Sequence, residues 1–336
     1  MSKRAFRSRT WLAVGSIVAL AATLPVAATA QSFKMKVGVS TPPSYSYNIG
    51  LAEFARIVKE GTGGDVDVSI FPSAQLGSEV EMGKNVQLGT LEGTVISTSN
   101  ISPFHKPLQI LSVPYLLKNL ECGLHVVDGP IGDEFAAALL EKAKIRVLGW
   151  YTFGTRQLFN TKRDVVRLAD LKGLKIRVPP DRYLEMTWRT LGAQPVPLPF
   201  PELFSALQQG VVDGDANPIS SIQQFKWYEV VKHVSMANVA AGISPFLVNE
   251  RFFQKLPKAH QEVLLYAAKV STATNRRAHA ESTAAARKFL ETEGGVKFVV
   301  PDLDEFRGAM GPVLGAAGEE FGSELVERIR RAQNGC

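Results

Sequence analysis

Cysteine is scarce in this chain: Cys122 and Cys336 are the only two among 336 residues. One disulfide is therefore the most it can form. In an oxidising compartment the two thiols could pair, but spacing does not bring them together, and two separate thiols remain the plainer reading. The five histidines are scattered, with no His-Glu-x-x-His or comparable metal spacing. There is no Gly-x-Ser-x-Gly elbow. Gly77 to Lys84 falls short of a phosphate loop, because five residues separate its glycines and Asn85 stands where Ser or Thr is needed. Gly61-Thr62-Gly63-Gly64 lacks the glycine that would complete a dinucleotide fingerprint. Internal repeats, low-complexity linkers and a bilayer-length apolar run are all missing. These absences argue against an enzyme and imply neither metal nor cofactor.

What is present begins with an address. Lys3, Arg4, Arg7 and Arg9 precede an apolar run from Trp11 to Leu24, and Ala28-Thr29-Ala30 follows. This is the layout of a secretory signal cut after Ala30. The run is too short for a membrane span, which needs about 20 apolar residues. No adjacent arginine pair marks a twin-arginine signal, and no cysteine follows the cut to take a lipid. The leader carries four of the 38 basic residues and no acidic one, so the formal charge of +6 falls to +2, 34 basic against 32 acidic residues. A basic surface for nucleic acid is thereby a poor expectation. At 45% hydrophobic and 21% charged residues, the remainder is an ordinary globular chain.

Periodicity then orders the elements. Met35, Val37 and Val39 alternate with polar residues as a strand, and Leu51, Phe54, Ala55 and Val58 fall at helical spacing until Gly61. Val66, Val68 and Ile70 make a second strand. A helix follows with Val80, Met82, Val86 and Leu88, and a third strand covers Leu91 to Ser97. This alternation predicts an α/β domain on a mainly parallel sheet. Glu79 and Glu81 read as a solvated helix N-terminus, favourable to its dipole. A second α/β unit starts after Trp150. Its strands are expected at Gln157–Asn160, Leu174–Val178 and Val211–Val212, and its helices at Tyr183–Leu191 and Glu202–Gln209. Another helix after Pro218, a strand-like run from Ile243 to Val248 and a largely helical tail complete the chain.

In Gly173-Leu174-Lys175-Ile176-Arg177-Val178-Pro179, Leu174, Ile176 and Val178 alternate with Lys175 and Arg177, so Arg177 points away from the apolar face, and Pro179-Pro180 end the strand. A guanidinium fixed there can fork onto a carboxylate with two parallel hydrogen bonds. A surface arginine in a weak ion pair is the alternative. Asn217, held extended by Pro218, reads as a loop residue that either forms a turn or contacts a ligand. Arg156, after Gly154-Thr155, sits at a loop-to-strand junction. Phe200, between two prolines, packs on the following helix with Leu203 and Leu207 or walls a pocket. Ser97 and Thr98 after the third strand, and Ser40 to Tyr45 after the first, occupy the edge where open α/β sheets meet their ligands. Trp150, Tyr151 and Phe153 are explained as core packing.

Taken together, these segments resemble the solute-binding subunit of the tripartite ATP-independent periplasmic (TRAP) transporters, the DctP-like family. The matching text includes Pro72-Ser73-Ala74-Gln75-Leu76-Gly77-Ser78-Glu79, Gln87-Leu88-Gly89-Thr90-Leu91-Glu92, Val113-Pro114-Tyr115-Leu116, Gly154-Thr155-Arg156, Asp170 to Arg177, Pro199-Phe200-Pro201-Glu202 and Ala206 to Pro218. It runs from about Phe33 to Pro257. The resemblance implies a two-lobed periplasmic binding protein fold with hinge strands and a helical C-terminal region. Its lobes would be residues 31–153 with 242–281 and residues 154–241 with 282–336. It implies that Arg177 binds the ligand carboxylate, Arg156 is a second cationic contact, Asn217 hydrogen-bonds the acid group and Phe200 is an aromatic wall. A small organic acid and the TRAP permease subunits are the implied partners of a monomer, in the periplasm, with closure of the lobes as the mechanism. A ligand-sensing component for a membrane sensor would use the same cleft, and a secreted α/β enzyme is the reading from another class. One departure stands out. The family often has Asp-Gly-Gln-Glu-Asn-Pro where this chain has Asp213-Gly214-Asp215-Ala216-Asn217-Pro218. If Asp215 faces the cleft, its carboxylate disfavours a second ligand anion there.

Overall fold

The computed structural model describes residues 32–336; the signal segment expected at 1–30 lies outside them. The described chain is built on one nine-stranded sheet. Its first wing holds β1 (Phe33–Gly38), β2 (Val66–Phe71) and β3 (Gly93–Val95), with β1 parallel to both others. Between these strands run α1 (Ser46–Gly61) and α2 (Glu79–Leu88). β1, β2 and α1 agree with the periodicity, whereas α2 buries Met82 and Val86 but leaves Leu88 exposed, and β3 is shorter than the expected Leu91–Ser97 and buried at every residue. Helices α3 (Leu120–Val127) and α4 (Pro130–Ala143) follow.

The middle of the sheet departs from the expectation. Strand β4 runs for 16 residues, Ile145–Asn160, and pairs antiparallel with the 17-residue β8, His233–Asn249. The sequence pointed only to Gln157–Asn160 and Ile243–Val248. Register shifts between Val147 and Gly149 and between Thr152 and Gly154 carry the strand through these glycines. Gly154 has φ +104°, and a Cβ there would lie 2.2 Å from the His279 ring. Arg156 is thus inside a long strand and not at a loop junction.

The second wing comprises β5 (Lys175–Val178), β6 (Gln194–Pro197) and β7 (Gly214–Asn217), with α5 (Arg182–Thr190), α6 (Leu203–Gln208) and α7 (Ile219–Gln224). The sheet order is β2-β1-β3-β8-β4-β7-β5-β6, with β9 (Lys297–Val299) pairing β8. β7 replaces the strand expected at Val211–Val212. Its sequence, Gly-Asp-Ala-Asn, has no apolar alternation, yet all four residues are buried. Asn217 therefore ends a strand and does not lie on a loop. β6 carries two prolines, which an outermost strand tolerates because one edge needs no ladder bonds.

After α8 (Glu250–Lys255), the 35-residue α9 (Lys258–Thr292) packs along α1, β4 and α7. At 1.5 Å per residue it is about 52 Å long. Two hydrophobic clusters occupy its face of the sheet, one around Phe54, Tyr151 and Phe246 and one around Phe159, Trp227 and Leu290. A third is continuous from Val86 through Leu158 to Trp188 and Ile329. α10 (Leu303–Gly308), α11 (Gly311–Phe321) and α12 (Ser323–Ala332) complete the chain. Beyond α12, Cys336 forms a disulfide with Cys122 in α3, their Cα atoms 5.3 Å apart. This overturns the plainer reading of two separate thiols. Gln333 docks the same terminus, its Oε1 accepting from the Lys118 backbone N–H at 2.7 Å. No helix among the described residues is long and apolar enough to cross a membrane.

Candidate functional site

The C-terminal ends of β1, β3, β5 and β7 and the interior of β4 meet at a cavity of about 30 Å³, which adjoins a larger one of about 210 Å³. Arg177, Glu79, Asn100 and Phe200 line both. Arg156, Asn217, Ser97 and Tyr45 line the smaller, so six of the eight residues expected at a site converge there. Thr98 and Asp215 do not line either cavity. Thr98 is buried in a short 3-10 turn, and Asp215 stands behind Arg177 as its neighbour across the β5–β7 ladder.

Arg177 is only 2% exposed. Alternation does turn it from the apolar face of β5, but that second face is covered too. Its Nε donates to the Leu198 carbonyl at 2.8 Å, and Nη1 lies 3.4 Å from Asp215 Oδ2. Its Nη2 has no acceptor among the described residues. Burial pulls this guanidinium below its ordinary value; Asp215 opposes that shift and Arg156 reinforces it. Asp215 is held in turn by the Ala216 N–H at 2.7 Å and the Asn217 Nδ2 at 2.5 Å. The unfamiliar aspartate in the Asp-Gly-Asp-Ala-Asn-Pro segment thus neutralises a buried guanidinium and orients the asparagine.

Arg156 is buried as well, and all its acceptors are neutral. Nη1 donates to the Ala216 carbonyl at 2.8 Å and toward Asn217 Oδ1 at 3.4 Å, and Nη2 donates to Ser99 Oγ at 3.2 Å. Its guanidinium carbon lies 4.8 Å from the Phe153 ring centroid, a cation–π distance. Phe153 belongs to the hydrophobic core as expected and also lines the cavity. Phe200 meets Phe225 and Trp227 edge-on at 5.0 and 5.7 Å, and its ring lies 5.7 Å from the Arg177 guanidinium carbon. Phe200 lines the cavity and also packs, against Phe225 and Trp227 from beyond the helix that was expected to receive it.

Glu79 was missed. It is not solvated: its side chain enters the cavity wall from the first turn of α2. Ser40 Oγ donates to its Oε1 at 3.1 Å; the Ser97 N–H, Ser97 Oγ and Asn100 Nδ2 donate to Oε2 at 2.9, 3.1 and 2.8 Å. The signal was present in Ser78-Glu79-Val80-Glu81. Ser78 and Glu81 form a reciprocal capping box, so Glu81 serves the helix end and Glu79, two residues earlier, faces elsewhere. Burial pushes the Tyr45 phenol up to about 12, so it stays a neutral hydroxyl, 3.0 Å from Ser221 Oγ. No group of three or more His, Cys, Asp or Glu that could hold a metal occurs among the described residues.

A family model described as bacterial extracellular solute-binding protein, family 7 (DctP), matches residues 37–320. A solute-binding protein of Verminephrobacter eiseniae is 35% identical over 307 residues, 91% of either chain. A TRAP periplasmic solute-binding protein from Polaromonas sp. JS666, solved with D-erythronate, superposes with a TM-score of 0.85 at 32% identity, covering 90% of this chain and 98% of that one. The sugar-acid-binding protein of Advenella mimigardefordensis, solved with galactonate, gives 0.87 at 27% identity, covering 90% and 98%. The nine-stranded sheet, the crossing ribbon of β4 and β8 and the helical C-terminus are the architecture of this two-lobed group, and the chain belongs to the DctP family, the solute-binding subunits of TRAP transporters.

Proposed function

We propose that this protein captures a small organic acid in the periplasm, with its carboxylate on Arg177 and Arg156, and hands it to a TRAP permease. The observation that carries this reading is Arg156: a buried guanidinium whose acceptors are all neutral, beside a cavity also lined by Arg177. Buried charge without a counter-charge is costly, and a ligand carboxylate supplies one. Arg177, with Nη2 unused, offers the fork; Asn217 adds a polar contact, and Phe200 and Phe153 close the apolar sides. The family and the ligands of the two solved relatives, both hydroxylated carboxylates, support the same class. The leader ending at Ala30 fits export. A thermal-shift screen over matched acids, amides and neutral sugars tests it. An acid at a hundred times its Kd adds about 2.7 kcal/mol, which for a chain this size raises Tm by about 4 °C. Stabilisation by sugars alone would sink the reading.

The lobes are residues 31–153 with 242–281 and residues 154–241 with 282–336, and β4 and β8 are the strands that pass between them. Closure around the acid excludes water from the arginine contacts and shapes the face that the permease meets. Small-angle scattering should show a smaller radius of gyration at saturating ligand. An unchanged radius, with binding verified by calorimetry, counts against closure.

A further inference from the structure

We propose that Glu79 and Asn100 form an acceptor wall that reads hydroxyl groups, so that the site selects polyhydroxylated monocarboxylates over alkyl acids and dicarboxylates. This rests on the reading of Arg177 and Arg156 as the carboxylate anchor. Both wall residues line the two adjoining cavities together with Arg177. Glu79 is only 9% exposed. Its Oε2 already takes three donors, whereas Oε1 takes one, from Ser40 Oγ at 3.1 Å. A carboxylate oxygen has room for more. Asn100 is fixed in orientation, because its Nδ2 donates to Glu79 at 2.8 Å and the flipped amide would set oxygen against carboxylate. That leaves Asn100 Oδ1 as a buried acceptor with no partner. An unmet buried acceptor is a penalty that a ligand donor removes.

Two ligand groups donate here, a hydroxyl and an ammonium. The wall favours the hydroxyl. Ser40, Thr41, Tyr45 and Ser97 stand on the same cavity surface, and each hydroxyl both donates and accepts. A ligand hydroxyl matches such mixed partners, whereas an ammonium can only donate. An alkyl chain would leave Asn100 Oδ1 unmet and strip water from Glu79 with nothing in exchange. A second ligand carboxylate would meet Glu79 with like charge.

Calorimetric titration of matched pairs decides this: erythronate against butyrate, and gluconate against hexanoate, with succinate and homoserine as further arms. The wild-type protein should bind the hydroxylated member of at least one pair about a hundredfold or more above its alkyl partner, because a site built for hydrogen bonding rejects analogues that lack the group. Glu79→Gln and Asn100→Ala should each shrink that ratio about tenfold, roughly one hydrogen bond's worth. Succinate should gain on butyrate in Glu79→Gln alone. Should Glu79→Gln fail to fold, Asn100→Ala carries the test with the carboxylate intact. An unchanged ratio in folded variants overturns the wall and leaves the arginine anchor standing, and so does tighter binding of homoserine than of erythronate. Wild-type protein that binds none of these acids brings down the anchor and the wall with it.

Discussion

Arg177→Lys should weaken binding of the captured acid ten- to a hundredfold in a protein that remains folded. The guanidinium already has two partners, Nε on the Leu198 carbonyl and Nη1 facing Asp215, and in the proposed reading its remaining edge takes the acid. An ammonium is a point charge without the planar fork. It can stay near Asp215 or reach the ligand carboxylate, but it cannot hold both and the Leu198 carbonyl. One charge-assisted bond is worth about 1.5–3 kcal/mol, which sets the size of the loss. The retained charge still compensates Asp215, so the fold is kept. Arg177→Ala is a different experiment. It leaves a carboxylate that is 1% exposed with no counter-charge, and breaking a buried pair from one side costs about 3–5 kcal/mol. Calorimetry with circular dichroism as the folding control separates the two. Near wild-type affinity in folded Arg177→Lys would mean that the fork is not used.

Cys336→Ser should lower Tm by roughly 8 °C without altering acid affinity more than twofold. The disulfide joins residues 214 apart in sequence. In the chain-entropy treatment, a loop of that length restrains the unfolded chain by about 5 kcal/mol. Spread over an unfolding entropy of about 2 cal/mol/K per residue, that is the shift stated. The native terminus stays docked without the bond, because Gln333 accepts from the Lys118 N–H and its Nε2 donates to the Leu116 carbonyl at 3.2 Å. The effect therefore falls on the unfolded state, and the ligand cavity is untouched. Calorimetric scans of wild type, wild type with reductant and the variant provide the check. A Tm within 1 °C of wild type in the variant would show that the cross-link restrains little.

β1, β2 and α1 were legible because the strands alternate and the helix has one apolar stripe. That Arg156, Arg177 and Asn217 share one cavity was legible through their surrounding motifs, although their local settings were not. Arg177 looked half-exposed since periodicity reports which face a residue takes, and not whether a second layer covers that face. β7 stayed hidden because Asp215 and Asn217 are satisfied by polar partners, so burial left no hydrophobic trace. The length of β4 was hidden because Gly154-Thr155 read as a loop leading into a short strand, whereas register shifts carry one strand through it. Glu79 was lost to a rule that holds for its neighbour: acids favour helix starts, and Glu81 obeys that rule. The disulfide left no sign at all, since 214 residues of separation carry no local signal.

The same disulfide has a practical side. The chain has no third cysteine, and none of the described ones is free. Any cysteine introduced by substitution is thus the sole reactive thiol, and a maleimide dye attaches at one chosen place without protecting chemistry. Glu202 is an exposed candidate, sharing a surface cavity with Glu81. A dye sensitive to its surroundings, fixed there, would report the proposed closure as a change in emission, and the transporter subunit would become an optical gauge for its own cargo.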